Sequence, residues 1–326
     1  MESSRVRRHR RPLPYTALAL VVIVGGAAAG TVYMQTQAHS GGGAVSSAVA
    51  PSASVSARAG GEASVEPVAQ PTVDHDMLLA EAMESVPVED GAEVSVAVLD
   101  LESGASATYG DGGFDTASIV KVDILAALLL QAQDAGRELT ATEKSYAVNM
   151  IENSDNTAAS ALWRAIGKAE GLDTANERLG LTDTAGGDGM YWGLTQTTAA
   201  DQLTLLRQVF GEESELSARS RAYLRELMGQ IAVDQRWGVS AAADGSAWAL
   251  KNGWLPRTAT GLWDINSIGR VTVDGHDCLV AVLSDGNSTK GKGVSLVEAA
   301  AEAAVSVFAG ETSSASPATA TSASAS

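Results

Sequence analysis

Apolar residues recur at helical spacing over residues 76–86 (Met77, Leu78, Leu79, Ala82, Met83), which predicts an opening helix. Residues 93–100 then alternate, with Val94, Val96 and Val98 on one side. A Ser-Gly turn leads from them to a second short strand near 105–109. Over residues 118–135 the character changes: Ile119, Val120, Val122, Ile124, Leu125, Leu128, Leu129 and Leu130 run nearly all round a helix. A helix apolar on every face is a buried one.

Further helices are expected over 140–153, opened by the capping-box pattern Thr140-x-x-Glu143, and over 155–166, 198–210 and 218–228. The strand pattern returns at 248–254, 263–273 and 279–283, with Asp274-Gly275 as a hairpin turn, and a closing helix spans 294–308. The order is helix, two strands, a block of helices, three strands, helix. It predicts a mixed α/β (α+β) domain in which one antiparallel sheet is shared by both chain ends. Flanking helices cover the sheet, and an all-helical subdomain is inserted in the middle. A cleft between two such lobes is a usual place for a substrate.

The flanks have another character. Residues 1–14 carry a basic cluster (Arg5, Arg7, Arg8, Arg10, Arg11), and residues 15–34 hold no charge. The latter length suits a membrane-spanning anchor with the arginines in the cytoplasm. A cleaved signal segment ending near Ala27-Ala28-Ala29 is the alternative. Either reading puts the working domain at the extracellular face of the membrane, or secreted. Residues 35–75 and 311–326 are small and polar, as a linker and a tail would be, which leaves 76–310 as the folded domain. The first 34 residues hold five arginines and one glutamate; without them 17 basic residues face 38 acidic ones, a net of −21. Such a surface repels nucleic acid. Cys278 is the only cysteine, which excludes an internal disulfide and a cysteine-based metal site. No cofactor or metal is expected. Oligomeric state is left open.

Three short motifs carry candidate chemistry. Ser118-Ile-Val-Lys121 puts a hydroxyl and an amine on one helix face, at the positive end of the helix dipole. An unprotonated lysine there can take the serine proton, if burial depresses its pKa. Alone, the pattern is more often a serine cap followed by an ordinary lysine, but an ammonium in so apolar a helix is costly. Ser154-Asp155-Asn156 lies between two helices, where Ser and Asp commonly cap. Its second hydroxyl could relay a proton, and the Asn156 amide could hold a substrate amide. Lys251-Asn252-Gly253 leads into Trp254 on a strand, with a glycine that permits close approach of a ligand to the backbone.

In this order the three resemble the S-x-x-K, S-D-N and K-T-G signature of class A β-lactamases and penicillin-binding proteins, over residues 76–309. The resemblance implies a β-lactamase/transpeptidase-like fold. It also implies Ser118 as acylated nucleophile, Lys121 as base, Ser154 as proton relay, Asn156 as substrate-amide contact and Lys251 as anchor for a carboxylate. The backbone N–H groups of Ser118 and Trp254 would form the oxyanion hole. The substrate would be a β-lactam or a cell-wall-type peptide.

Three departures stand out. Ser118 and Ser154 are closer in sequence than the family's usual interval, so the helical subdomain is shorter and the cleft is expected to be wider. Asn252 replaces a hydroxyl residue, putting an amide where a substrate carboxylate would be contacted. No E-x-x-L-N segment lies between Asn156 and Thr197; only Asp183 and Asp188 occur in the corresponding Gly-rich stretch. Efficient deacylation is therefore not expected. A Ser-His-Asp triad is not expected either, because the one histidine of the later domain, His276, sits beside a hairpin turn. Trp192, Trp237, Trp248, Trp254 and Trp263 are core residues or stacking surfaces of the cleft. The alternative function is a catalytically silent extracellular module that binds a peptide or glycan on the same fold.

Overall fold

The computed structural model describes residues 73–308. The expected cytoplasmic segment, the anchor or signal segment 15–34, the linker up to residue 72 and the tail lie outside the described residues. Among the described residues no helix is long and apolar enough to cross a membrane.

Helix α1 (His75–Met83) is capped by Asp74 and precedes β1 (Glu93–Asp100), β2 (Ser106–Tyr109) and the short β3 (Phe114–Asp115). A 3-10 turn over Ala117–Ile119 runs into α2 (Val120–Asp134). Then come α3 (Ala141–Glu152), α4 (Asn156–Ile166), α5 (Lys168–Leu179), β4 (Gln196–Thr197), α6 (Ala199–Phe210) and α7 (Ala218–Gly229). The chain closes with β5 (Trp248–Pro256), β6 (Trp263–Val273), β7 (His276–Asn287) and α8 (Lys290–Ser306). All the expected elements occur in the expected order, β3, α5 and β4 are additional to them, and α3 opens on the Thr140/Glu143 capping box.

Five antiparallel strands form one sheet in the order β2-β1-β7-β6-β5, so β1 from the early part of the domain pairs with β7 from its end. Both faces are covered. In β1 and β7, Ala97, Leu99, Leu279, Ala281 and Leu283 face the core shared with the helical lobe. Their neighbours Val96, Val98, Val280 and Val282 face the core shared with α1 and α8. A sheet buried on both faces explains why the middle of β7, Cys278–Leu283, is apolar at consecutive rather than alternate positions.

Helix α2 is the axis of the helical lobe, enclosed by α3, α4, α5 and α7. Every residue from Ile119 to Leu130 is buried, Lys121 and Asp123 included. The side-chain hydrogen bond to the Asp123 carboxylate is weak, from Gln202 Nε2 at 3.3 Å. Burial pushes this carboxyl up to about 7, and the nearby Asp201 charge adds to the shift. Between about pH 4 and 7 the unfolded chain releases this proton while the folded chain keeps it, so stability falls as pH rises across that window. Asp123→Asn removes the loss. Its melting temperature is expected to match wild type near pH 4 and to exceed it at pH 7.5, by a stability gain of up to about 4 kcal/mol. Paired thermal melts at the two pH values measure this.

Candidate active site

The turn bearing Ser118 is held from several sides. Thr116 N–H donates to Thr195 O (2.9 Å), and Asn266 Nδ2 on β6 donates to Asp115 O (2.9 Å) and Thr116 O (3.1 Å). These contacts sustain a left-handed backbone at Ala117 (φ 48°), a conformation that costs a non-glycine residue about 1–2 kcal/mol. A Cβ on Gly253 would lie 2.7 Å from Thr116 O and 2.9 Å from Ser118 N. What approaches this strand closely is therefore the Ser118 turn itself, and glycine is required for that contact.

Ser118 is half-buried, and its Oγ lies 3.0 Å from Lys121 Nζ. Ser118 does not act as a helix cap; the capping residue of the next motif is Asp155, whose Oδ1 accepts from Ala158 N–H at 2.6 Å. Ser154, freed from that task, adopts a left-handed backbone (φ 54°) that turns two of its oxygens toward Lys121. The amine of Lys121 thus meets Ser154 O at 2.7 Å, Ser154 Oγ at 3.0 Å and Asn156 Oδ1 at 2.8 Å, besides Ser118 Oγ. Two of the four oxygens, Ser154 O and Asn156 Oδ1, can only accept. A neutral amine has two N–H groups for those two, which leaves its lone pair toward the hydroxyls. Burial lowers the Lys121 pKa from 10.5 to about 7, against a smaller opposing effect of the Asp155 charge. The Trp192 ring lies over the same nitrogen, 4.9 Å away, with its Nε1–H donating to Ser160 Oγ at 3.2 Å.

Lys251 is on the same face of β5 but fully buried. Its Nζ reaches Ser154 Oγ (3.1 Å) and Asn252 O (3.0 Å), and burial together with the Lys121 charge holds its pKa well below the ordinary lysine value. It does not itself line the cleft, and its contact with the site is the one through Ser154 Oγ. Asn252 corrects the sequence-based expectation further. Side chains alternate along a strand, so next to Lys251 and Gly253 it points to the other face of the sheet. There its amide donates to Gln235 O (2.8 Å) and Trp237 O (2.9 Å), and it does not line the cleft. The Trp254 ring is on that face as well, 6.1 Å from the Trp237 ring and beneath Lys290 Nζ at 4.2 Å.

Ser118 and Asn156 open into a cleft of about 610 Å3, whose walls are the 190–194 loop and residues 254–259. No carboxylate lines it. Asp183 borders a different cavity, and Asp188 is tied into its own turn by a carbonyl that accepts from Tyr191 N–H at 2.9 Å. His276 pairs with Glu102 at 3.0 Å, in the β6–β7 hairpin. A second cavity of about 270 Å3, at the far end of α2 near Tyr223, holds no nucleophile–base pair. Of the residues that hold the site, Trp192, Ser160 and Asn266 carry no sequence motif.

The model of the beta-lactamase enzyme family matches residues 130–308, more than half of the chain. The chain belongs to the beta-lactamase enzyme family. The matched residues include Ser154, Asn156 and Lys251 and begin after Ser118 and Lys121. Among solved structures, PBP-A, a variant of which was captured as an acyl-enzyme with penicillin G, is similar. That variant has a TM-score of 0.61 at 22% identity, over 72% of this chain and 96% of the other. The TLA-1 extended-spectrum β-lactamase gives 0.62 at 16% identity, over 72% and 98%. A β-lactamase from Chitinophaga pinensis gives 0.59 at 17% identity, over 70% and 97%. At these identities the likeness establishes the fold, which is β-lactamase/transpeptidase-like. The "Putative lipoprotein LppW" of Mycobacterium tuberculosis and of Mycobacterium bovis is 29% identical over 174 residues, 51% of this chain and 55% of the relative. The chain spans about half the length of these curated relatives.

Proposed function

We propose that this family member is a serine hydrolase or acyl-transferase, in which Ser118 forms an acyl-enzyme with a β-lactam or a cell-wall-type peptide. The observation that carries this reading is the Lys121 amine, buried, with its pKa lowered to about 7 and 3.0 Å from the Ser118 hydroxyl. In the proposed sequence the Ser118 Oγ–H proton passes to the Lys121 lone pair as Oγ bonds to the substrate carbonyl carbon. The backbone N–H groups of Ser118 and Trp254 receive the oxyanion. The proton returns from Lys121 through Ser154 Oγ to the departing nitrogen, and the carbon–nitrogen bond breaks. Asn156, whose Oδ1 orients Lys121, keeps its Nδ2 for a substrate amide. Lys251 holds the Ser154 hydroxyl in place from behind.

The cleft offers no carboxylate to activate water, so the acyl-enzyme is expected to be long-lived. Relatives named as lipoproteins, together with the arginine-flanked apolar segment 15–34, support a membrane-associated protein whose catalytic domain faces outward. Incubating the full-length protein with a fluorescent penicillin tests the central claim. The expected result is one covalent adduct by mass, mapped to the peptide containing Ser118 and released slowly. No adduct, under conditions that label a control penicillin-binding protein, would falsify it and favour a silent peptide- or glycan-binding module.

A further inference from the structure

The geometry points to a substrate whose transferred acyl group carries an uncharged, apolar side group, received by Tyr191 and Leu194 on one wall of the cleft and by Leu255 and Pro256 on the other. This rests on Ser118 being the acylated residue.

Tyr191 and Leu194 are 69% and 39% exposed, large apolar side chains on the surface of the same cleft as Ser118. Their exposure is not that of a loose loop. Leu194 N–H donates to Tyr191 O (2.8 Å), and Thr195 N–H donates to Trp192 O (3.2 Å). Trp163, wholly buried in the core, donates its Nε1–H to Gly189 O at 2.9 Å. Gly187 N–H donates to Thr195 Oγ1 at 3.1 Å, and a Cβ at Gly187 would fall 2.2 Å from Tyr191 O. The loop is closed on itself as tightly as a glycine permits, and this closure sets its two apolar side chains outward at the cleft. A scaffold that fixes exposed apolar side chains beside a nucleophile has prepaid the ordering that ligand binding otherwise requires.

Charge narrows the class. The only charged residue lining the cleft is Arg257. Its Nε pairs with Asp264 at 2.6 Å, and its Nη2 pairs with Asp115. A carboxylate on the acyl side group would compete with two carboxylates already in place. Those two acids are engaged by the guanidinium and do not line the cleft, so an ammonium group finds no free partner there. The cleft rewards neither charge, and its walls reward apolar contact.

Four penicillin nuclei that differ only in side group test this on the full-length protein: benzyl, the same ring bearing a carboxylate, the same ring bearing an ammonium, and no side group. The second-order rate of adduct formation, read by mass, is expected to be at least about tenfold higher for the benzyl compound than for each of the others. In Tyr191→Ser/Leu194→Ser the benzyl advantage should shrink to about twofold, while Tyr191→Phe, which keeps the ring, should retain it. Equal rates across the four compounds, or an undiminished benzyl advantage in the double variant, overturn the inference and leave Ser118 as nucleophile intact. Failure of all four to label removes the nucleophile assignment, and the inference with it.

Discussion

Lys121→Met is expected to slow acylation of Ser118 by about a thousandfold, within the range that a positioned general base contributes. Methionine fills similar space and offers no lone pair of comparable basicity. Loss of folding would not account for the effect. The wild-type amine is held near 7 by burial, so between pH 7 and 10.5 the unfolded chain binds a proton that the folded chain does not. Stability therefore rises with pH across that window, and at pH 7 the buried amine is a burden that methionine removes. Against this stand the hydrogen bonds lost at Ser154 O and Asn156 Oδ1. The two effects oppose each other, and the melting temperature should move by no more than about 5 °C. The same lowered pKa sets the pH profile of the wild type: acylation should increase as pH rises through about 7, where the amine loses its proton. A stopped assay of adduct mass against time, at half-unit pH steps, reads both the drop in rate and the inflection. A variant as fast as wild type would leave Lys121 without a catalytic role.

Gly253→Ala is the second large effect. The added methyl would sit 2.7 Å from Thr116 O, 2.9 Å from Ser118 N and 3.0 Å from Ile119 N. All three are backbone atoms, so no flexible side chain can yield, and the turn is pinned by Asn266 and Thr195. Overpacking of this kind costs about 1–3 kcal/mol. The displaced atoms include the N–H of Ser118, the proposed nucleophile, and a shift near 1 Å at a reacting group costs about a hundredfold in rate. The expected outcome is a melting temperature several degrees lower, together with an acylation rate down by at least about a hundredfold. Gly253→Ala acylating at the wild-type rate would show that the turn tolerates displacement.

Strand β1 was legible from its alternating valines, and 263–273 coincides with β6 as found, whereas the two-residue β3 and β4 gave no signal. Helix α5 was not, although Leu172, Ala175 and Leu179 are all buried on one face. Gly171 and a polar exterior hide the pattern, and the glycine is there because a Cβ would strike Ile166 O at the junction with α4. Helix α8 begins at Lys290 rather than near 294, since its Thr289 cap precedes a stretch with two glycines and two lysines. The motifs pointed to Ser118, Lys121 and Ser154, whose contacts need only the start of α2 and the α3–α4 joint. Asn252 was misplaced because which face a strand residue occupies depends on pairing partners elsewhere in the chain. Trp192 was a cleft candidate by residue type alone, and Asn266 had no local signal at all: it reaches the site from a strand whose position only tertiary packing decides.

That dependence on distant partners has a consequence for how the protein matures. Asn266 grips the backbone of residues 115 and 116 across some 150 positions of sequence, and β1 has no inner neighbour until β7 exists. As the chain emerges, the Ser118–Lys121 segment appears early and stays chemically ordinary, because the strands that bend its turn have yet to arrive. Contacts of such long separation form late and slowly. A chain cut short after α7 would keep its first two motifs without Asn266 or Lys251, so the reactivity proposed for Ser118 is expected to report whether the last third has been synthesised and folded.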